Sequence, residues 1–180
     1  DGLKLAAADL LGVLMPPTPV DDEVRVSLIP FANYVNAGQY ATTVTGLAAT
    51  RSVSGNTQNL ITCVSERTGS EAYTDATPGL SKWIGASQQG ASGSSYDSEG
   101  GCNRSGGGWS SSPLPAVMPL TNDKAALLGQ INSFTSGGST AGHLGTAWAW
   151  YTLAPDWNSV FNLANPPKAY NDPEYLKVAV

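Results

Sequence analysis

Residues 137–155, which read GGSTAGHLGTAWAWYTLAP, constrain the fold of this chain more than any other segment. The two glycines allow a tight backbone turn, and a helix with three aromatic residues follows directly and stops at Pro155. The turn places the hydroxyls of Ser139 and Thr140 at the head of that helix. Such a hydroxyl either caps the helix or reaches a metal ion or an anion held above a sheet. The sequence leaves both roles open.

The composition limits the size of the fold and excludes several classes of function. With 180 residues, the chain is long enough for one domain with a substantial hydrophobic core and too short for two such domains. Only 13% of the residues are charged, and with a net charge of −5 the composition does not resemble that of a basic nucleic-acid-binding protein, so no nucleic-acid partner is expected. No apolar run is long enough to cross a bilayer, and the N-terminal residues lack the pattern of a signal peptide. We therefore expect any export signal or membrane anchor to lie outside this sequence.

The spacing of apolar residues predicts a single domain, 1–180, of helices and strands. Helices are expected from Asp1 to the prolines after residue 15, over 122–134 with Thr121 as N-cap, and over 141–153. Strands are expected over 24–31 and 176–180, with a short hairpin around residues 34–44. Helices mixed with apolar strands indicate an α/β layered domain. The core residues expected from these assignments are Leu10, Leu28, Leu127, Ile131, Trp148 and Val178.

Residues 50–112 are predicted to form an irregular insertion in this domain, tied by a disulfide. Residues 85–112 are almost wholly Gly, Ser, Gln and Asn, so this stretch cannot form a core of its own. Cys63 and Cys102, the two cysteines of the chain, lie near the ends of the polar stretch and belong to no zinc motif. A bridge between them would close the loop and would indicate an oxidising compartment. The alternative is two separate buried thiols.

Five segments together resemble one protein family. They are VRVSLIPFANYVN at 24–36, a cysteine followed by Glu66 and Arg67, PLTNDKAALLGQI at 119–131, the helix head GGST…GHLGTAWAWYTLAP, and YLKVAV at 175–180. They resemble the von Willebrand A-like domains of TadG-type proteins from bacterial tight-adherence (Flp-type) pilus systems. The resemblance covers most of the chain and corresponds to the middle portion of such a domain. It implies a doubly wound sheet flanked by helices, incomplete here because the Asp-x-Ser/Thr-x-Ser and Thr-Asp-Gly segments of the family are absent.

This resemblance implies a function in binding rather than in catalysis. It implies a non-enzymatic exported domain, in the periplasm or on the cell surface, that acts in pilus assembly or adhesion. The implied partners are pilus components or a surface receptor, with no nucleic acid, no membrane contact from this segment and a membrane anchor outside it. The alternative is a secreted glycan-binding domain or hydrolase that uses the loop aromatics Trp83, Tyr96, Trp109 and Trp157.

The resemblance also implies a partial metal site of the adhesion type. Thr140 is the implied ligand of Mg²⁺ or Ca²⁺ in the full-length protein, and an offset of one residue would make it Ser139. The other ligands would lie outside the chain, because one neutral hydroxyl cannot hold a divalent cation. We therefore expect no cofactor in this chain alone. His143, the single histidine, is interpreted as a polar residue on the exposed side of the helix.

Overall fold

The fold is a mixture of helices and small antiparallel sheets. The computed structural model describes residues 2–15, 24–53, 55–60, 62–80, 82–86, 114–137 and 140–180. The helices are α1 (Gly2–Leu14), α2 (Ala41–Thr45), α3 (Lys124–Ser133), α4 (Gly142–Leu153) and α5 (Asn158–Phe161). The strands are β1 (Val26–Leu28), β2 (Val35–Asn36), β3 (Thr50–Val53), β4 (Asn56–Asn59), β5 (Cys63–Arg67), β6 (Ile84–Ala86) and β7 (Met118–Thr121). The expected mixture of helix and sheet is confirmed.

The described strands form three small sheets, and all their strand pairs are antiparallel. Strand β1 pairs with β7, and β3 pairs with β4 as a local hairpin. The third sheet has the order β2-β5-β6. The Cα partners of β2 and β5 are Val35 with Val64 and Asn36 with Cys63. The strand order places β5 in the centre of its sheet.

Two apolar clusters hold these elements together. The larger one joins the sheet β2-β5-β6 to α4 and to the turn that follows α4, through fully buried residues such as Val35, Val64 and Trp148. The smaller one lies between α1 and α3 and contains Leu11, Met15, Leu127 and Ile131. Leu28 is half-buried against this second cluster. The larger cluster therefore fixes the position of α4, the helix that the sequence singles out.

The predicted core is confirmed at three positions and is wrong at two. Leu127, Ile131 and Trp148 are 0%, 1% and 1% exposed. Leu10 is instead 40% exposed, because α1 turns Leu11 rather than Leu10 toward α3. Val178 is 60% exposed, since residues 176–180 form no strand in the structure. An apolar strand sequence that finds no neighbouring strand edge remains an extended surface segment.

Element boundaries also differ from the prediction. Both central helices exist, but α3 is capped by Asp123, whose carboxylate accepts a hydrogen bond from the Ala126 N–H at 2.9 Å. The Thr121 hydroxyl accepts from the Asp123 N–H one turn earlier. The strand expected over 24–31 is shortened to β1, and residues 41–45 of the expected hairpin form a helix. Four strands, β3 to β6, lie in residues 50–86, where irregular structure is expected, and residues 87–112 lie outside the described residues.

Candidate functional site

The head of α4 exposes a hydroxyl that does not cap the helix. Thr140 is exposed, and its side chain makes no hydrogen bond within the part of the chain that the structure describes. The N-cap position is occupied by Ala141, without a side-chain capping bond. Of the two roles open to Thr140 from the sequence, helix capping is therefore not the one the hydroxyl performs. Ser139 lies outside the described residues.

The first turns of α4 are held firmly against the loop that precedes β2. The Ala141 N–H donates a hydrogen bond to the Ala32 carbonyl at 2.7 Å. One turn later, Gly145 is buried beneath the ring of Phe31, where an added Cβ would lie 2.4 Å from Cδ1 of that ring. Only a residue without a side chain fits under this ring. The exposed hydroxyl of Thr140 is thus carried by a rigid backbone.

An ion-pair geometry involves His143, three residues after Thr140 in the chain. His143 Nε2 is 2.5 Å from Glu66 Oε1, and their side chains are 61% and 63% exposed. The expectation that His143 is exposed is confirmed, but the pairing with Glu66 on β5 was missed. The two residues are 77 positions apart, so no local sequence signal could reveal the contact. Thr140, His143 and Glu66 are called here the α4 head site.

The α4 head site does not by itself make a metal centre. Mg²⁺ and Ca²⁺ take about six oxygen ligands, with carboxylates among them. No group of three or more His, Cys, Asp or Glu side chains within the described ranges is placed to hold a metal ion. A threonine hydroxyl and one carboxylate therefore do not fit a divalent cation without further ligands.

Cys63 lies on the central strand, directly before these functional candidates. It is 0% exposed and packs with Ala32 and Leu114 in a small cluster of its own. Cys63 is disulfide-bonded, and its proposed partner, Cys102, lies outside the described residues, so the pairing with Cys102 stays a prediction.

Arg67, the neighbour of Glu66 on β5, points into the interior instead of into solvent. It is only 6% exposed, and its guanidinium carbon lies 5.3 Å from the ring centre of Tyr151 and 5.7 Å from that of Trp157. Nη1 donates a hydrogen bond to the Ala76 carbonyl at 2.6 Å. Nε and Nη2 are buried without a hydrogen-bond partner among the described residues. The aromatic faces thus stand where a carboxylate would normally compensate the charge.

The rings beneath Arg67 form a tight stack. Tyr151 and Trp157 are parallel, with centroids 4.1 Å apart, and Trp148 meets both edge-on at 6.0 Å. Trp157 Nε1 donates to the Asp75 carbonyl at 2.8 Å. Burial raises the pKa of the Tyr151 phenol, and the charge of Arg67 opposes that shift in pKa. Trp157, which the alternative function placed among surface aromatics, is therefore a core residue.

Asp75 links this buried stack to a second pair of aromatic residues, Tyr170 and Trp150, at the surface. The Tyr170 hydroxyl donates to the Asp75 carboxylate, and Trp150 Nε1 donates to the Tyr170 oxygen at 2.9 Å. Burial and the hydrogen bond to Asp75 raise the pKa of Tyr170 to about 12. Of the other predicted surface aromatics, Trp83 is 41% exposed, whereas Tyr96 and Trp109 lie outside the described residues.

Comparisons with known proteins do not identify a relative that shares these features. No protein-family model, no curated protein and no solved structure matches the chain. Across the described ranges, each helix is too short or too polar to cross a bilayer.

Proposed function

We propose that this chain is a von Willebrand A-like domain that binds protein partners and acts, without catalysis, in assembly of or adhesion by a Tad/Flp-type pilus. The observation that carries the proposal is the exposed, uncommitted hydroxyl of Thr140 on a rigid helix head. A hydroxyl that lies at an anchored helix head and makes no hydrogen bond with the described residues is suited to bind something outside the chain. The periplasm or the cell surface is the proposed location.

Two of the segments that carry the family resemblance pack together, which supports the proposal. Val35 of the first segment and Trp148 of the aromatic segment share the larger core. The backbone bond between Ala32 and Ala141 joins the first segment to the turn before α4. Segments more than a hundred residues apart in the chain thus meet around the helix that bears Thr140.

Exposed apolar surface supports the finer architecture, a doubly wound sheet. On α1, Leu3 is 79% and Val13 is 82% exposed. A helix that covers a sheet presents such residues to the sheet, and monomeric proteins rarely leave them in solvent. These surfaces fit a domain in which a further sheet layer covers them.

The openness of the α4 head site favours binding over turnover. General acid–base catalysis gains most of its strength where water is excluded. His143 and Glu66 are both more than half exposed, so their pair resembles an ordinary surface ion pair, worth about 0–1 kcal/mol.

A secreted glycan-binding domain is the second candidate, and the half-exposed pair of Trp150 and Tyr170 favours it. These residues are 39% and 56% exposed and hydrogen-bonded to each other. Sugar rings stack on such rigid aromatic faces. A hydrolase has less support, because Trp157 is buried and cannot line a substrate groove.

The test is direct binding of the purified chain to purified Flp-type pilin and tight-adherence assembly proteins, by biolayer interferometry. We expect one component to bind, and we expect Thr140→Ala to weaken binding about tenfold or more. Thr146→Ala is the matched control, since Thr146 is exposed on the same helix but its hydroxyl donates to the Gly142 carbonyl.

Three results would count against the proposal. They are no binding to any pilus component, equal binding by the two variants, and binding to a glycan array that is lost in Trp150→Ala. The last result would instead establish the second candidate.

A further inference from the structure

A basic cleft lies at the opposite end of α4 from Thr140. It encloses about 80 Å³ between the end of β7, the end of α4 and residues 167–177. Its lining residues are Arg25, Leu120, Leu153, Pro167, Lys168, Tyr175, Leu176 and Lys177. Three of these eight are cations and none is a carboxylate, although the whole chain has a net charge of −5. Positive charge is therefore concentrated here against the overall balance.

Main-chain carbonyls, rather than acids, position two of the cations. Arg25 donates to the carbonyls of Asn165 and Pro166, the second at 3.3 Å. Lys177 Nζ donates to the Leu153 carbonyl at 2.7 Å and to the Lys168 carbonyl. A guanidinium has five N–H donors and an ammonium has three, so both groups keep donors free.

The remaining cation is unbonded. The Lys168 ammonium lies 5.3 Å from the ring centre of Tyr175 and makes no hydrogen bond within the described part of the chain. None of the three cations lies within salt-bridge distance of a described carboxylate, since the ion pair of the described residues is that of His143 with Glu66.

Two nearby acids, Asp75 and Asp172, act on Lys177 through space, but neither lies within salt-bridge distance of it. The Asp75 carboxylate accepts from Tyr170, and the Asp172 carboxylate accepts from the Glu174 N–H at 3.0 Å. Burial lowers the pKa of Lys177, the adjacent charge of Arg25 lowers this pKa further, and the carboxylates of Asp172 and Asp75 oppose the shift only in part. The cleft thus holds mutually repelling cations, a situation that a bound anion relieves.

We propose that this cleft binds the C-terminal carboxylate of a partner peptide whose last side chain is aliphatic. A terminal carboxylate is attached to the same carbon as its own side chain, so charge and apolar body are adjacent. The cleft has the same juxtaposition, with Arg25 and the lysines beside Leu120, Leu153 and Leu176. The guanidinium fork matches a carboxylate, and the leucines exclude water from the aliphatic group.

A free phosphate fits the cleft less well. A phosphate dianion would leave the leucine wall uncovered and would need more donors than an apolar wall can give. A glutamate side chain brings a carboxylate but no aliphatic branch beyond it. The site is also distinct from the α4 head site, because the twelve residues of α4 separate them by about 18 Å. The test of this inference is therefore independent of the proposed pilus function.

The experiment is an NMR titration of the ¹⁵N-labelled chain with three probes. They are an N-acetylated tripeptide that ends in leucine with a free carboxylate, the same peptide as its C-terminal amide, and inorganic phosphate. For the peptide with a free carboxylate, we expect chemical-shift changes only at backbone N–H signals of residues that line the cleft. The expected Kd is on the order of 1 mM, because the buried area is small. We expect the amide and phosphate to bind at least about tenfold more weakly.

Lys168→Gln tests the site without disturbing the fold, because its ammonium makes no hydrogen bond with described residues. We expect it to weaken binding of the acid about five- to tenfold. The control is Lys82→Gln, an exposed lysine that does not line the cleft and should leave the Kd unchanged. Equal binding of acid and amide, tighter binding of phosphate, equal Kd values for the two variants, or no saturable shifts would each overturn the proposal.

Discussion

At the scale of single residues, Arg67 is the least expected feature of the molecule. A buried guanidinium usually requires a carboxylate, yet its described neighbours are two aromatic rings and one carbonyl. Burial of a charge without an opposite charge costs free energy, which stacking on the rings offsets only in part. The residue is thus held in place more by its shape and its stacking than by its charge.

This interpretation predicts an unusual order of stability. Arg67→Met keeps a long side chain against the rings and removes the buried charge, so we expect a cost below about 1.5 kcal/mol. Arg67→Ala leaves a cavity above Tyr151 and Trp157 and should cost about 2–4 kcal/mol. Urea unfolding measures both. A methionine variant as unstable as the alanine variant would show that the charge itself is required.

Tyr170 gives a prediction about pH. The folded-state pKa of about 12 exceeds the ordinary phenol value of 10.0, because the phenol is partly buried and donates to Asp75. A pKa raised by folding means that the neutral phenol stabilises the fold below pH 10, and that this contribution is lost as the pH rises toward 12. Tyr170→Phe should flatten the fall in stability over that range, as measured by thermal unfolding at several pH values. Parallel curves for the variant and the wild type would contradict the assignment.

At the scale of elements, α4 organises the fold, and its buried glycine shows why. Gly145 lies under the Phe31 ring, which couples the helix to the loop before β2. The sequence predicts α4 almost to the residue, because its glycine turn, aromatic spacing and terminal proline all agree. It does not predict which of its glycines is structural, since that depends on a ring more than a hundred residues away.

Two glycine substitutions compare a helix glycine that is packed under a ring with one that has free space beside it. Gly145→Ala forces its methyl group into Phe31 and should destabilise the protein by about 1–3 kcal/mol. Gly129→Ala, in the middle of α3, meets nothing within 4 Å and should stabilise it by about 0.5–1 kcal/mol through helix propensity. Thermal unfolding of both variants gives the comparison. Shifts of the same sign would mean that the Phe31 contact is absent in solution.

The elements that sequence reasoning misses are short, polar strands. Strands β3 and β4 contain few apolar residues and no clear alternation. A usable signal existed, because Val53 pairs with Asn56 across a two-residue connection whose second residue, Gly55, has a φ of +82°. A Ser-Gly pair in that position favours a tight hairpin. The strand predicted at 176–180 was wrong for the opposite reason, because this segment has the composition of a strand but pairs with no described strand.

At the scale of the whole molecule, long-range contacts decide the candidate site. The sequence predicts an exposed hydroxyl at Thr140, because glycines precede the helix directly. The approach of Glu66 to His143, and the collection of Arg25, Lys168 and Lys177 in one cleft, depend on how distant segments pack. One sequence without aligned relatives carries no record of such contacts.

The predicted disulfide belongs to this scale, because it would close a loop of about forty residues. Cys63 is already fully buried in the centre of a sheet. We expect no free thiol when the unreduced chain is denatured and titrated. We also expect the Cys63→Ser, Cys102→Ser double variant to lose roughly 3–4 kcal/mol, on the chain-entropy estimate. Two titratable thiols would remove the bridge and the argument for an oxidising compartment with it.

The stacked rings of Tyr151 and Trp157, with Trp148 edge-on to both, also give the protein an optical signature. Aromatic chromophores locked 4.1 and 6.0 Å apart couple electronically, so the near-ultraviolet circular dichroism of the native state should be dominated by this one cluster. Near-ultraviolet signals vanish when side-chain packing loosens, whereas far-ultraviolet signals persist with the helices. The same sample can therefore report melting of the core separately from loss of secondary structure, with no label attached.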